Sequence, residues 1–382
     1  MALSFLSLGS SNSDVYNVDL VIESATNLHA GDHFEVGALR RGSISSSDAV
    51  TRISIDGTPM DSTRPIFNGL NPVWDETFFF ENVRPNSTFK LSLYDVDTDK
   101  DDKLGSAFFD MIDAVDDEEN AFDLPITLKD QRAGVISITV IPQKVKAEEG
   151  AVMREVGPVR YSVHTSLSKN VLAFLTPKKA KLASSAYIVQ LHNIHHFLPR
   201  DLEWSKSYEK IQRIFSSKHK ESVVLRHGVK AQHALVYEHN SKRTQYGDLS
   251  SSDDFFALIK YGRRDDLPVL YTYVITFNGW YFSETGASVI QDLMSKHMLH
   301  SGAADSVKYA GEFRIHRTDN NVYKLVIDNN SGTYAPPVDI LPQLKALFED
   351  NFKGIICEVA DYKNETLMKD RMEILAAWED VD

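Results

Sequence analysis

The stretch Tyr94–Ser106 reads YDVDTDKDDKLGS and places five aspartates, Asp95, Asp97, Asp99, Asp101 and Asp102, within eight residues. Like charges at that density repel one another unless a cation neutralises them or the segment stays fully solvated. Alternating aspartates invite a calcium EF-hand, whose loop needs glycine at its sixth position and a bidentate glutamate at its twelfth. Counted from Asp95, those positions hold Lys100 and Ser106, and the flanks alternate like strands rather than helices. The EF-hand is excluded, and the aspartates need another frame.

The chain around this stretch has 382 residues, enough for two or three domains that each bury a core. Its 42% hydrophobic and 25% charged residues are those of an ordinary soluble globular protein. No apolar run approaches the roughly 18 residues that span a membrane. The opening MALSFLSLGSSNSD lacks a basic leader region and reads as a tail over residues 1–13 rather than a signal peptide. Cys357 is the only cysteine, so no internal disulfide forms and a reducing, cytoplasmic setting fits. The net charge of −13 is unevenly placed: residues 1–150 hold 26 acidic and 12 basic residues, the remainder 28 and 29. That asymmetry argues for two modules and against nucleic acid as a partner.

From Val15 to Ile141 the sequence alternates with a two-residue period between turn signals. VYNVDLVIESATNL, AVTRISIDG, TFKLSLYDVD and GVISITVIP are strand-like; in TFKLSLY, Phe89, Leu91 and Leu93 share one face, and Lys90 and Ser92 the other. SIDGTP, NGLNP and RPNS punctuate them. Several short alternating strands over residues 14–142 imply an antiparallel β-sandwich. Asp95 and Asp97, two apart at a strand end, project to one side, Asp102 returns across the loop, and Gly105 permits a sharp turn.

The succession ATNLHAGD, SDAVTRISIDG, NGLNPVWDETFFFE and LYDVDTDKDDKLG resembles a C2 domain. The resemblance implies calcium-dependent docking to anionic phospholipid, with the ion held between loops at one end of the sandwich. Its ligands, carried over position by position, are Asp32, Asp48, Asp95, Asp97 and Asp102. The loop after Asp97 is about one residue shorter than the commonest form, which leaves Asp101 as an alternative to Asp102. The insert HFEVGALRRGSISSS lengthens the first loop and leaves the place of Asp32 open. That insert supplies Phe34, Leu39 and Ile44 as apolar contacts, and Arg40 and Arg41 ahead of Ser43 in a pattern that basophilic kinases favour. With no apolar wedge in TDKD, docking rests on ion bridging and charge.

Residues 143–157, polar and charged, read as a linker. Residues 158–382 read as an α+β domain with a mainly antiparallel sheet. RYSVHTSL, AYIVQLHNI and SVVLRHGVKAQHALVYEH are strand-like; EWSKSYEKIQRIFSS has Trp204, Tyr208, Ile211 and Phe215 at helical spacing. SSSDDFFALIKYG opens with capping residues, VLYTYVITFNGWYFSETG and GEFRIHRTDNNVYKLVIDNNSG read as hairpins, and LPQLKALFEDNF and NETLMKDRMEILAAW as closing helices.

Chemical candidates in this second domain gather between His297 and Tyr334. A helix would set His297 and His300 on nearly one face, and with Glu312 they form a conceivable metal site or acid–base pair. HMLHS is not H-E-x-x-H, and a satisfied structural histidine is the commoner explanation. Asn329, Asn330, Ser331, Gly332 and Tyr334 are candidates for holding a polar ligand, or for capping a turn. The block containing His300, Ser301, Ala310, Gly311, Glu312, Asn330, Ser331, Gly332, Tyr334 and Pro336 is similar to one in plant calmodulin-binding IQ-motif proteins. It is also similar to one in uncharacterised fungal and protist proteins that pair such a domain with a C2 domain. IQRIF itself is no IQ motif, since Ser216 and Glu221 stand where arginines belong. The sequence thus points to a calcium-regulated peripheral membrane protein, its second domain recruited to the anionic membrane and offering a surface for a protein partner. The alternatives are an enzyme of unknown reaction in residues 158–382 and a calcium-independent scaffold.

Overall fold

The structure, a computed structural model, describes residues 14–28, 48–67, 69–96, 101–165, 185–202, 220–237, 244–285, 296–302, 307–331 and 336–379. The chain divides into two compact units, with the division at Gly157 and Pro158.

Among the described residues, nine strands build the first unit: β1 (Asp14–Thr26), β2 (Ala49–Ile55), β3 (Thr58–Ser62), β4 (Val73–Val83), β5 (Thr88–Asp95), β6 (Asp102–Asp110), β7 (Asn120–Leu128), β8 (Gln131–Lys146) and β9 (Arg154–Val156). They hydrogen-bond in the order β3-β2-β5-β6-β7-β8-β1-β4-β9, antiparallel throughout. Between β6 and β7 the pairing narrows to Ser106 with Thr127, so the sheet folds over there into a sandwich close to a barrel. Period-two alternation supplies the filling: Ile53, Leu91, Leu93 and Phe109 of one layer meet Leu20, Ile22, Phe78 and Ile138 of the other in a single core. Residues 143–157 are not a free linker. Residues 143–146 prolong β8, and β9 pairs with β4 through Phe79–Val156 and Glu81–Arg154, because an open sheet edge accepts a short strand.

Gly105 lies inside β6 rather than at a sharp turn. It faces Leu93 where the β5–β6 register slips by one residue, with φ at +149°. A Cβ there would stand 2.5 Å from Ile126 Cγ2 and 3.0 Å from the Thr127 carbonyl oxygen, so the bare backbone is what lets β6 approach β7.

In the second unit the strands are β10 (Val159–Thr165), β11 (Ser185–Gln190), β12 (Thr244–Leu249), β13 (Arg263–Arg264), β14 (Leu267–Pro268), β15 (Tyr271–Thr276), β16 (Gly279–Glu284), β17 (Tyr309–Arg317), β18 (Tyr323–Asp328) and β19 (Ile356–Ala360). The helices are α1 (Ile194–Phe197), α2 (Lys220–Val236), α3 (Ser252–Leu258), α4 (Lys296–Ser301), α5 (Leu341–Asn351) and α6 (Glu365–Glu379). Eight strands form a mixed sheet in the order β12-β10-β11-β16-β15-β17-β18-β19, antiparallel except for the parallel β18–β19 pair; β13 and β14 form a separate ribbon. One face is apolar: Tyr273, Trp280, Phe282 and Phe313 pack on Phe255 of α3 and on Leu344 and Phe348 of α5. The strand period turns Ser283, Glu312 and Arg314 to the opposite, polar face.

SVVLRHGVKAQHALVYEH is helical over Lys220–Val236, not a strand. Its valines favour extended backbone, but Val229, His233 and Tyr237 recur at four-residue intervals, and Val229 and Tyr237 are buried, so packing overrides propensity. EWSKSYEKIQRIFSS lies outside the described residues.

Replacing Gly105 by alanine is expected to lower the stability of the first unit by about 1–3 kcal/mol through overpacking against β7. Urea unfolding of the full chain reads this, and an unchanged midpoint for that unit contradicts the close-approach argument.

Candidate functional site

Three neighbouring strand ends carry the acidic cluster. β5 finishes at Asp95, which pairs with Ala49 at the start of β2 on one side and with Asp102 at the start of β6 on the other. The Asp48 amide donates to Oδ1 of Asp95 at 2.6 Å, and the Val96 amide donates to the Asp48 carbonyl at 3.0 Å. Asp95 is buried, with 5% of its surface exposed. The Trp74 indole N–H reaches the Ala49 carbonyl at 3.3 Å and ties β4 to the same corner. Asp48, Asp95 and Asp102 therefore occupy adjacent backbone positions at three paired strand ends.

Asp101 goes elsewhere. Its carboxylate forms an ion pair with Arg52 of β2, and the Arg52 guanidinium lies 4.3 Å from the centre of the Tyr94 ring. Neither Arg52 nor Tyr94 stands out in the sequence as a site residue. Their signal is the strand period, which turns both outward beside the acidic end. Asp32 and Asp97 lie outside the described residues, as do Phe34, Leu39, Arg40, Arg41, Ser43 and Ile44.

The second candidate group occupies the polar face of the other sheet, under α2, α4 and α6. His300 is 1% exposed; its Nδ1 is 2.6 Å from the Tyr237 hydroxyl and its Nε2 is 3.1 Å from Ser283 Oγ. The Tyr237 hydroxyl and Ser283 Oγ thus engage both ring nitrogens of His300. His297 lies three residues away, with Nε2 at 3.1 Å from the Gly311 carbonyl. Burial holds His297 down to about 4 and His300 well below the ordinary histidine range.

Glu312 lies apart from both rings in its hydrogen bonding. Its Oε1 accepts from Nη2 of Arg371 on α6 at 3.0 Å, and its Oε2 accepts from Arg371 Nε and, at 2.7 Å, from Asn330 Nδ2. Beside it Asp328, fully buried, accepts the Glu312 and Asn330 amides at 2.9 and 2.8 Å and pairs with Arg314, which reaches on to Asp370 of α6. Burial raises the Asp328 carboxyl above its usual range against the lowering by these partners. Asn329 accepts the Tyr362 amide at 2.7 Å, and the Ser331 amide donates to the Asn329 carbonyl at 2.9 Å. Glu312 and Asn330 thus converge, while His300 belongs to a different hydrogen-bonded group. Gly332 and Tyr334 lie outside the described residues. This arrangement can clamp a helix onto a sheet by two ion pairs.

Among known proteins, residues 17–125 match the family model described as C2 domain. A 94-residue stretch is 39% identical to Protein C2-DOMAIN ABA-RELATED 5 of Arabidopsis thaliana, and a 61-residue stretch is 44% identical to mouse Extended synaptotagmin-3. These matches cover 24% and 16% of this chain and span only 44% and 7% of those relatives' own lengths. The solved C2A domain of plant Extended Synaptotagmin 1 is 22% identical over 35% of this chain and 98% of its own; at a TM-score of 0.30 that likeness is too loose to argue from.

Two outcomes test the polar face. The native state protonates His297 near pH 4, whereas the unfolded chain does so near the ordinary 6.5. Between those values the unfolded form binds more protons, so stability is full above about pH 6.5 and falls as pH drops towards 4. Each such ring contributes a slope of about 1.4 kcal/mol per pH unit. His297→Gln keeps a donor for Gly311 but removes the titration, so the urea-unfolding free energy of the second unit should fall less steeply from pH 6.5 to 5; equal slopes contradict the assignment. Arg371→Leu strands the buried Glu312 charge and is expected to cost about 3–5 kcal/mol. Adding Glu312→Gln should recover part of that loss, and full additivity of the two changes in the same unfolding assay contradicts the clamp.

Proposed function

With residues 17–125 forming a C2 domain, we propose that the protein binds calcium at its acidic end and docks there on anionic phospholipid. What supports this reading is the adjacency of the Asp48, Asp95 and Asp102 backbone positions on three neighbouring strand ends. The donor set fits the ion: calcium takes about six to eight oxygen ligands, many of them carboxylates, whereas the described residues of this end offer it no thiolate or imidazole. Asp48, Asp95 and Asp102 would hold the cation, with Asp97 and Asp32 as the further ligands that the C2 resemblance implies.

When bound, calcium supplies positive charge and open coordination positions for a phosphate oxygen. The chain supplies the rest. β2, β5 and β6 set Asp48, Asp95 and Asp102 at adjoining strand ends, where Asp95 is buried. In the absence of the cation the same rim repels an anionic bilayer, so docking follows calcium and weakens with salt. Residues 158–382 are then recruited to the membrane surface of the cytoplasm with the domain that docks. No helix among the described residues is long and apolar enough to cross a membrane, in keeping with peripheral attachment.

Sedimentation with phosphatidylserine-containing vesicles tests this. The full chain should pellet with calcium and remain in solution with chelator. Asp95→Asn should weaken calcium-dependent pelleting by about tenfold or more, since ligand charge tunes calcium affinity over decades. Pelleting indifferent to chelator and to Asp95→Asn defeats the proposal and favours a calcium-independent scaffold.

A further inference from the structure

In the second unit, two cations meet at one residue. Glu284 ends β16, and its carboxylate pairs with Arg264 of β13, Oε2 lying 2.5 Å from Nη1. Its backbone carbonyl accepts from Nζ of Lys296 on α4. Both cations therefore lie within one residue's reach of each other. Among the described residues no other carboxylate pairs with either of them. Arg264 is under-used as a donor: its Nε is buried and has no hydrogen-bond acceptor. Trp378 of α6 covers the guanidinium face, its ring centre 4.3 Å away, and is itself fixed by its indole N–H donating to the Pro268 carbonyl at 2.8 Å.

The neighbouring titratable groups add no compensating charge. Glu312 of β17 is taken up by Arg371 and Asn330. Burial pushes the Tyr187 hydroxyl of β11 up to about 12 and that of Tyr271 on β15 far above the ordinary tyrosine range, so both are neutral. The rings of His297 and His300 are neutral as well. The corner thus holds two positive charges against one negative. A cation taken out of water without a counterion is costly. Lys296 shows that cost: burial, with Arg264 adding to it, holds its amine down to about 8. One more unit of negative charge balances the corner. A carboxylate carries one, whereas a phosphate monoester carries close to two. Its paired oxygen atoms can accept from a guanidinium on one side and an ammonium on the other.

We propose that Arg264 and Lys296 form a binding site for a small-molecule carboxylate, with Trp378 holding the guanidinium in place. A bound carboxylate favours the charged form of Lys296. Binding is therefore accompanied by proton uptake near pH 8 and weakens at higher pH, where the free amine is neutral.

Trace acetylation of the full chain with acetic anhydride, read by mass spectrometry at Lys296 across pH, tests the site. The midpoint of Lys296 reactivity should stand near 8 in the free protein. In saturating propionate, at constant ionic strength, it should rise by about one pH unit or more. No rise overturns the proposal. An equal rise with propionamide, which has the same shape and no charge, overturns the ionic pairing. Inorganic phosphate should raise the midpoint less; an equal or larger rise overturns the carboxylate assignment in favour of phosphate. Arg264→Lys keeps a cation for Glu284 but loses the guanidinium fork, so half-saturation should need about tenfold more propionate. Unchanged half-saturation overturns the role of Arg264. Should that variant fail to fold, the wild-type titration decides the proposal by itself.

Discussion

A carboxylate held where it is least welcome organises the amino-terminal unit. Asp95 ends β5 with almost no exposed surface, its Oδ1 accepting the Asp48 amide while Asp102 faces it across the strand pair. A charge removed from water is costly unless hydrogen bonds or a counterion replace its hydration. The backbone amide supplies part of that replacement and fixes the direction of one oxygen. Sheet pairing fixes the rest, since Asp95 cannot retreat without breaking the register of β5 with both β2 and β6. Under the proposed calcium reading, a cation held at this corner would offset the repulsion among its carboxylates.

The second unit handles buried charge differently. Its ionic groups are matched internally: Glu312 with Arg371, and Asp328 with Arg314, which also holds Asp370. Breaking such a pair is expensive, so these residues specify how α6 seats on the sheet. The histidines of α4 follow the same logic with neutral rings, each spent on a partner from the sheet or from α2.

What the sequence revealed depended on how local the controlling physics was. The alternation of Phe89, Leu91 and Leu93 is written in consecutive residues, and these residues line the sandwich core. That Asp48, Asp95 and Asp102 stand at neighbouring strand ends was legible because each follows or precedes an alternating strand in an ordered set of motifs. The separation of Asp101 from Asp102 was not, because it depends on a register slip opposite Gly105 and on an arginine 49 residues away. The helix over Lys220–Val236 was hidden by its valines; only the packing of Val229 and Tyr237 reveals the face. Placing His297 and His300 together required only helical periodicity. That Tyr237, 63 residues distant, and Ser283 would occupy both nitrogens of His300 is tertiary information.

Whether the acidic corner of the first unit accepts a divalent ion decides the calcium reading. A crystal structure of the protein grown with millimolar calcium tests it most directly. The expected result is electron density for a cation coordinated by carboxylate oxygen atoms of Asp95 and Asp102, with Asp48 in its shell and the strand register unchanged. A corner without such density, its three carboxylates turned apart into solvent at the same calcium concentration, would contradict it.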